Sequence, residues 1–515
     1  MDSHQRRLKR LGAIILLAIF MLFLIYGLTE KRSLQAPIKE LSLVWSEDAR
    51  TLDPLKADDS HSIELIVNVF DRLLRYGFRY FKGMRCIDPE RFLPSLAESF
   101  EILDGGKSYV FKLRKDMKFH DGTPVTSKDV KYSLEKLSLA DSKFRKMVDR
   151  IEIVDPFTVK VSLRSPNSLF LHYICSYKAS IVKRGSSGEI DSGTGPYKIV
   201  EWKKGEKIVL EAVKSHYLNP KFDKVKIDIV KDPKTIEAML LSGEATGPSR
   251  VPLEDLKIMA KSRNLKILEA STFDVVFLIL NCRKNPFNNT KVRRAFASAV
   301  PCEKIGEVAF DGFGTIAKSV VPENLPEHNS SSWMFSYNIT EARKQLLQSG
   351  TSVKVFSITV PLGDAKQIEV SSILQIAMYS LGLDLVISQE KRNNYDKLVN
   401  EGGFQVILVW KKNLFPDSAE ILREIFWNET IQYLFYSNKR LNELISRSFE
   451  LSGPSRKLAL FQAQRILAEE VPVIPILYPT DILLANKAIE GYVYYPDGAL
   501  RYWELHWSST STNGN

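Results

Sequence analysis

The segment from Leu93 to Leu137, LPSLAESFEILDGGKSYVFKLRKDMKFHDGTPVTSKDVKYSLEKL, decides how the chain is interpreted. Apolar and basic residues alternate over residues 109–114, which predicts a half-buried strand. Asp121-Gly122 follows as a turn, and Thr126 or Ser127 is placed to cap a helix. The apolar face of that helix is predicted to carry Val130, Leu134 and Leu137.

Shorter motifs follow one another along the rest of the chain. They are Leu52-Asp53-Pro54, Gly193-Thr194-Gly195-Pro196-Tyr197, Glu201-Trp202 with Tyr217, Asn281 with Asn285-Pro286-Phe287, Val292-Arg293-Arg294-Ala295-Phe296, and the run from Ala468 to Pro475. Together with the first segment, and in the same order, they resemble the family 5 extracellular solute-binding proteins. These are the oligopeptide-, dipeptide- and nickel-binding receptors of ABC importers.

The resemblance implies an α/β fold of the type II periplasmic-binding-protein class. Two lobes face each other across a cleft, and an extra subdomain is inserted in the first lobe. The first lobe is expected to combine residues 38–56, 190–272 and 479–508, with the insertion at 57–189 and the second lobe at 273–478. The chain then crosses between the lobes near 272 and 479, so these positions are hinge candidates.

Local patterns support an α/β fold without the resemblance. Val225, Ile227 and Ile229 alternate with polar residues as in a strand, and residues 292–300 place apolar side chains on one face of a helix. Residues 406–410, VILVW, are a continuous apolar run, which predicts a buried strand in a sheet covered on both faces. The end of that strand is expected to open on the cleft.

Residues 1–33 combine a basic stretch with an apolar run and predict export. The basic residues before the uncharged run Leu11–Leu28 keep the N-terminus in the cytoplasm and send the rest across the membrane. A cleaved signal and an uncleaved inner-membrane anchor both remain open. We predict the anchor, because Ile25 is bulky where cleavage needs a small residue, and no lipidated cysteine is available before Cys86. Residues 509–515 are predicted to be a disordered tail.

Charge and cysteine content limit the partners. Residues 1–33 hold six basic and two acidic residues, so the exported part carries +7 of the formal net charge of +11. Basic residues are scattered instead of clustered with aromatic ones, which argues against nucleic-acid binding. The four cysteines suggest two hypotheses, the pairs Cys86–Cys175 and Cys282–Cys302 or free buried thiols.

The segment after the buried strand departs from the family. In the peptide receptors a strand ends in W-x-x-D-Y, and the Asp pairs with the α-ammonium of the ligand. Here the segment is Trp410-Lys411-Lys412-Asn413-Leu414, so Asn413 or, counting back from Pro416-Asp417, Leu414 takes the Asp position. The resemblance implies that Trp410 covers the ligand, with Lys411 and Asn413 near its polar end. Tyr478, close to the returning hinge, is a further predicted ligand contact.

Loss of that carboxylate changes which ligand the cleft suits. A charge-assisted hydrogen bond contributes roughly 1.5–3 kcal/mol, against about 1 kcal/mol for a neutral one. An unpaired buried ammonium costs still more. The ligand is therefore expected to lack a free N-terminus, to be acidic or to be something other than a peptide. The alternative is that the lysines are solvated and an acid from elsewhere in the chain meets the amine.

The resemblance implies the substrate-binding receptor of an ABC-type importer, a periplasmic monomer that captures oligopeptides or a related solute and delivers them to a membrane permease. The alternatives are a membrane-tethered sensor or assembly protein, and a receptor for an acidic or non-peptide solute. No enzyme, cofactor or metal site is expected. The sequence has no H-E-x-x-H motif, Glu101 replaces the first glycine of a phosphate loop, and His120-Asp121 suits a turn.

Overall fold

The computed structural model describes residues 39–185, 192–426 and 435–508. The predicted anchor at residues 1–33 and the predicted tail at residues 509–515 lie outside this part of the chain. Within the described residues, no helix combines the length and the apolar character that crossing a membrane requires.

Residues 39–185 contain one separate strand, a hairpin and a small sheet with helices. The strands are β1 (Glu40–Trp45), β2 (Leu74–Phe81), β3 (Met84–Pro94), β4 (Ala97–Leu103), β5 (Ser108–Leu113), β6 (Val148–Asp155) and β7 (Thr158–Leu163). The helices are α1 (Ser60–Val69), α2 (Ser127–Ala140), α3 (Ser142–Met147) and α4 (Leu169–Cys175), with 3₁₀ turns at Asp104–Gly106 and Tyr177–Ala179. β2 and β3 form the hairpin, and the sheet has the order β4-β5-β7-β6.

The segment that opens the sequence analysis folds as its pattern predicts. In β5, Tyr109 and Phe111 are buried whereas Lys112 is exposed. Thr126 is the N-cap of α2, and its hydroxyl and N–H donate to the Asp129 carboxylate at 2.8 and 3.0 Å. The predicted apolar face of α2 is fully buried at Val130, Leu134 and Leu137.

Residues 192–271 supply three strands of a four-stranded sheet in which β1 is an edge strand. The elements are β8 (Tyr197–Lys203), β9 (Lys207–Ala212), β10 (Lys224–Ile229), β11 (Leu265–Ser271), α5 (Pro233–Ser242) and α6 (Leu253–Met259). The sheet order is β1-β10-β9-β8, and β10, β9 and β8 pair antiparallel. Val225 and Ile227 are fully buried in β10, which confirms the predicted strand.

Residues 272–426 and 435–508 contain the six strands of the largest sheet, three further strands and eight helices. The strands are β12 (Val275–Leu280), β13 (Thr315–Ile316), β14 (Val355–Pro361), β15 (Asp384–Glu390), β16 (Val406–Lys411), β17 (Val473–Tyr478), β18 (Thr480–Asn486), β19 (Ile489–Glu490) and β20 (His506–Trp507). The helices are α7 (Thr290–Ala299), α8 (Cys302–Ala309), α9 (Ile339–Ser349), α10 (Ala365–Tyr379), α11 (Arg392–Glu401), α12 (Ser418–Phe426), α13 (Lys439–Ser448) and α14 (Gly453–Glu470).

This sheet has the order β13-β17-β12-β16-β14-β15. β12 runs antiparallel to β16 and β17, whereas β14 runs parallel to β15 and β16. Every residue of β12 is buried, as expected for a strand in a sheet covered on both faces. The apolar run at 406–410 is therefore confirmed as a strand in the interior of the sheet.

Two short connections join the six-stranded sheet to the antiparallel pair β11–β18. Residues 272–274 lead from β11 into β12, and Pro479 alone separates β17 from β18. The Thr272 hydroxyl donates to the Pro479 carbonyl at 2.7 Å, so the two connections run side by side. They lie at the predicted hinge positions near 272 and 479, while the predicted lobe limits themselves stay predictions.

The hypothesis of two cysteine pairs is wrong. Cys86, Cys175, Cys282 and Cys302 are all free. The Cys86 thiol faces the Arg79 carbonyl of its own hairpin at 3.6 Å, and the Cys302 thiol faces the Pro475 carbonyl at 3.8 Å. These sulfur atoms are thus directed at backbone carbonyl groups and not at the sulfur atoms proposed as their partners.

Candidate functional site

The segment predicted to carry the site leaves the interior of the six-stranded sheet. β16 lies between β12 and β14, and its last two residues pair with the first two residues of β12. Because β12 begins directly after the connection 272–274, the residues that follow β16 meet this connection at one edge of the sheet. The site is therefore built where the chain passes between two sheets.

Trp410 presents much of its indole to solvent. Its side chain is 48% exposed, whereas Val406, Ile407 and Leu408 on the same strand are buried. Its ring centroid lies 5.6 Å from that of Phe310, with the rings tilted. A partly exposed tryptophan on a buried strand offers a large, rigid surface on which a ligand can stack.

Lys411 is directed away from Trp410 and into an ion-pair network. Its Nζ lies 2.5 Å from Oε2 of Glu424, on α12. Lys143 binds the other oxygen of Glu424 at 2.9 Å and also contacts Glu420 at 2.8 Å. Burial alone would raise the pKa of Glu424, but the two lysines outweigh burial and lower it. The charge of Lys411 is therefore compensated within the protein.

Asn413 is buried and bonded to the connection between the sheets. It is 2% exposed, its N–H donates to Oδ1 of Asp274 at 3.2 Å, and its side-chain amide donates to the Phe273 carbonyl at 2.5 Å. Its Oδ1 is buried without a partner among the described residues. Leu414, the other residue aligned with the family's Asp, packs against the hydrophobic core.

Asp417 is the acid nearest in sequence to the position that the Asp of the W-x-x-D-Y motif would occupy. Its carboxylate stabilises the fold. Its carboxylate accepts from the guanidinium of Arg456 at 2.7 Å, from the hydroxyl of Ser168 at 2.9 Å and from the N–H of Glu420, in the first turn of α12, at 2.9 Å. Burial would raise the pKa of Asp417, but Arg456 outweighs it and holds the pKa below its usual range. This carboxylate is committed to the fold.

Asp274 is the acid that sequence reasoning missed. It lies in the first connection, is 4% exposed, and accepts the Asn413 N–H at 3.2 Å. Burial raises the pKa of Asp274 to about 6, although hydrogen bonds from Asn413 and the Trp410 side chain oppose the rise. The one signal in the sequence is an acid directly before the apolar run of β12.

A second acid lies close to the first. Asp481, near the start of β18, forms an ion pair with Arg250 and accepts a hydrogen bond from the Tyr492 hydroxyl. Arg250 also donates to the Gly498 carbonyl at 3.2 Å. The charge of Asp481 is compensated by Arg250, but it still contributes to the raised pKa of Asp274.

Tyr478 lies at the end of β17 and is turned toward another loop. It is 5% exposed, its hydroxyl donates to the Ser319 carbonyl at 2.8 Å, and it accepts the Lys318 N–H at 3.3 Å. Of the four predicted site residues, the structure thus brings Trp410 and Asn413 together at Asp274. It directs Lys411 to α12 and Tyr478 to the loop that contains Ser319.

We refer to Asp274, Trp410, Asn413 and Asp481 as the crossover site. A buried carboxylate with a raised pKa lies there beside a partly exposed aromatic ring. Such a carboxylate gains most from a cation, because a positive group restores the charged form that burial disfavours. The side chain of Trp410 donates a hydrogen bond to this carboxylate, and the face of its partly exposed ring can attract cations. The arrangement suits a ligand with an ammonium group.

Replacing Asn413 with aspartate is expected to lower the free energy of unfolding by about 1–3 kcal/mol, the usual cost of an unsatisfied buried polar group. The new carboxylate would face the Phe273 carbonyl, which now accepts a hydrogen bond, and would stand beside Asp274. Urea denaturation at pH 7 measures the change. Asn288→Asp, at an exposed position, is the control and should change stability by less than about 0.5 kcal/mol.

No group of three or more His, Cys, Asp or Glu side chains is placed to hold a metal ion in the part of the chain that the structure describes. The His120 and Asp121 side chains bond elsewhere, to the Gly195 carbonyl at 3.0 Å and to Lys183 at 2.5 Å.

Solved structures share this fold over most of their length. HbpA2 from Haemophilus parasuis matches with a TM-score of 0.81 and 21% identity, covering 91% of this chain and 100% of that protein. The periplasmic protein DppA from Helicobacter pylori, solved with the peptide STSA, matches with a TM-score of 0.71 and 22% identity over 92% and 99%. The predicted α/β fold of type II, with two lobes, is confirmed.

Comparison of the sequence with known proteins agrees with the match to the solved structures. The glutathione-binding protein GsiB of Escherichia coli K12 is 26% identical over 487 residues, which span 89% of this chain and 93% of GsiB. Residues 91–430 match the model of the bacterial extracellular solute-binding proteins, family 5 Middle. The matched segment contains the first motif quoted above and the crossover residues Asp274, Trp410 and Asn413. The chain therefore belongs to family 5 of the bacterial extracellular solute-binding proteins.

Proposed function

We propose that this protein is the receptor of an ABC-type importer for short peptides or closely related solutes that carry a free ammonium group. The observation that supports this ligand class is Asp274, a buried carboxylate beside the partly exposed Trp410. In this proposal Asp274 pairs with the ligand's ammonium, as the Asp of the W-x-x-D-Y motif does in the peptide receptors. The segment 410–414 of this chain has no Asp. An acid from elsewhere in the chain thus meets the amine, the alternative that the sequence left open.

The charges of the site favour a cation over an anion. Asp274 and Asp481 are both acidic, and Arg250 is already paired with Asp481. The positive charge of Lys412 also acts on Asp274 and lowers its pKa, but burial outweighs it. An acidic solute would bring a further negative charge next to Asp274, which Coulomb repulsion penalises most where water is excluded. Glutathione, the ligand in the name of GsiB, carries a free α-ammonium and is a suitable first probe.

The mechanism we propose is closure of the two lobes around the ligand. Trp410 belongs to the six-stranded sheet and Asn413 to the loop directly after its strand, whereas Asp481 belongs to the β11–β18 pair. A ligand that contacts both sides binds more tightly when the lobes close, and so shifts the population toward the closed form. The connections at 272–274 and 479 would absorb the rotation. The closed receptor then delivers the solute to a membrane permease, without catalysis.

The proposed location is outside the cytoplasm, with the chain held at the inner membrane by an uncleaved helix within residues 1–33. The proposed receptor acts as a monomer and needs no cofactor. Membership of a family of extracellular solute-binding proteins supports a location outside the cytoplasm. The basic stretch before the apolar run supports the orientation.

Calorimetry on the purified full-length chain tests the ligand class. A tripeptide with a free amine should bind at least about tenfold more tightly than the same tripeptide with an acetylated amine, because only the former offers a charge-assisted hydrogen bond. Equal affinities would contradict the role of the amine. Release of a single non-peptide compound from the denatured protein, with no binding of either tripeptide, would contradict the peptide class.

Trp410→Ala is expected to weaken binding of the free-amine tripeptide by about tenfold or more, since aromatic side chains in contact sites commonly contribute over 1 kcal/mol. Its effect on the melting temperature should be small, because the side chain is 48% exposed. Trp410→Phe retains a stacking surface and is the matched control. Unchanged affinity in Trp410→Ala would exclude a ligand contact at this position.

A further inference from the structure

A second candidate site lies away from the crossover site, between the β2–β3 hairpin and residues 503–504. It is a cavity of about 450 Å³, and its lining includes Arg75, Phe78, Arg85, Arg91, Trp503 and Glu504. The volume falls within the roughly 300–1,000 Å³ typical of small-molecule sites. We call this cavity the arginine pocket. No residue of the crossover site lines it.

The arginine pocket holds more positive than negative charge. Arg85 is compensated, since its guanidinium lies 3.1 Å from the carboxylate of Glu504 and stacks 3.9 Å from the ring of Phe78. Neither Arg75 nor Arg91 forms an ion pair with any other residue that the structure describes. Two positive charges in the lining are therefore without an acidic partner among these residues.

Two lining residues also carry N–H donors that have no acceptor within the described part of the chain and are closed to solvent. Trp503 is 6% exposed, and its indole Nε1 has no hydrogen-bond partner among the described residues. The Nε of Arg75 is likewise buried without a partner. Buried polar atoms are rarely left unbonded in proteins. Both atoms are closed to water, so what the pocket offers a ligand is the charge of Arg75 and Arg91 and not these two N–H groups.

A bulge in the β2–β3 hairpin positions Arg91. Tyr76 pairs with Phe92, but the next residue, Gly77, pairs with Asp88, so the register shifts and residues 89–91 bulge out of β3. The side chain of Arg91 lies against Gly77, where an added Cβ would come within 2.7 Å of its Cδ. Bulges re-aim side chains in this way, and a glycine permits the close approach.

We propose that the arginine pocket binds a phosphate monoester. A phosphate monoester carries about −1.5 to −2 charges near pH 7, which matches the two uncompensated arginines. Guanidinium groups bind phosphate oxygens through two parallel hydrogen bonds. The pocket exceeds the size of a bare phosphate, and the rings of Phe78 and Trp503 offer contact to an organic group. A soluble ester and the headgroup of phosphatidic acid share this chemistry.

Binding to the full-length chain is the test. The probes are inorganic phosphate, glucose 6-phosphate, glucose, and phosphatidylcholine vesicles with and without phosphatidic acid. Saturable one-to-one binding of glucose 6-phosphate, with none of glucose, is the expected result. Binding that depends on phosphatidic acid, without binding of the soluble ester, would support the pocket and identify the lipid as the source. Absence of binding to any phosphate probe would overturn the proposal.

Variants locate the binding. Arg75→Met and Arg91→Met should each weaken it about tenfold or more. Trp503→Phe keeps the ring and removes only a buried N–H, so it should change binding by less than about twofold. Arg91 is exposed, so its variant should fold even if Arg75→Met does not. Arg465→Met, remote on α14, is the control. Binding of the free-amine tripeptide should stay unchanged in all of them. Wild-type phosphate affinity in Arg91→Met would overturn the assignment.

Discussion

Replacing Arg456 with methionine is expected to lower the free energy of unfolding by about 3–5 kcal/mol, the cost of removing one partner of a buried ion pair. Arg456 is 9% exposed and contacts two acids, Asp417 at 2.7 Å and Glu327 at 2.9 Å. It also donates to the Ser448 carbonyl at 2.9 Å. One guanidinium thus joins α14 to the end of α13, to the start of α12 and to the loop that contains Glu327.

The loss is large because Asp417 would remain. Its side chain is 3% exposed, and the Ser168 hydroxyl and the Glu420 N–H would be its remaining donors. Neither group carries a positive charge. A buried carboxylate without a cation must either stay charged at high cost or take up a proton, and both reduce stability at pH 7.

The same helix provides the control. Arg465 also pairs with an acid, Glu469 at 2.8 Å, but its side chain is 76% exposed. Arg465→Met should therefore change stability by no more than about 0.5 kcal/mol. Urea denaturation of both variants measures the difference. The double variant Asp417→Asn, Arg456→Met should recover part of the loss, and equal effects of the two single arginine variants would contradict this account.

The parts of the fold that sequence predicts are those that local pattern controls. Alternation identifies β5 and β10, and the capping residue and spacing identify the start of α2. The apolar run at 406–410 identifies a buried strand, because no other environment suits so many β-branched residues in sequence. Cysteine pairing is different, since it depends on where side chains point in space, and the hypothesis of two disulfides failed.

The site could be predicted only in part. Trp410 lies near the end of a buried strand and Asn413 comes directly after it, so the sequence alone places the two residues close together. Asp274 lies 139 positions before Asn413 in sequence, and only the antiparallel pairing of β12 with β16 brings the two together. Lys411 shows that neighbours in the sequence need not share a site. It is next to Trp410 in the chain, yet the alternation of a strand sends it to Glu424.

Asp274→Asn is expected to weaken binding of the free-amine tripeptide by about twofold to thirtyfold at pH 7, because a charge-assisted hydrogen bond becomes a neutral one. Asparagine keeps an oxygen that can accept the Asn413 N–H, so the local structure should survive. The variant should also be more stable than the wild type at pH 7. Burial raises the pKa of Asp274 to about 6, so the ionised carboxylate opposes folding.

The sign of the pH dependence follows from the raised pKa. Protonated Asp274 contributes to the free energy of unfolding. This contribution is complete below the unfolded pKa of 3.8 and is lost as the pH rises through about 6, the pKa in the folded protein. That difference corresponds to about 3 kcal/mol at most. Urea denaturation should show Asp274→Asn more stable than wild type at pH 7 and similar to it at pH 4. If the wild type is the more stable at pH 7, the ionised Asp274 carboxylate does not lower the free energy of unfolding, and this account is wrong.

Ligand binding should have the opposite dependence on pH. The ammonium binds the ionised carboxylate, of which about one tenth remains at pH 5, so wild-type affinity should fall about tenfold between pH 7 and pH 5. The tripeptide's own groups do not titrate in this range, so Asp274→Asn should bind it equally at both values. A carboxylate that weakens the free protein and strengthens the complex is what a ligand site requires and a purely structural acid does not. The same slope in wild type and variant would remove Asp274 from the site.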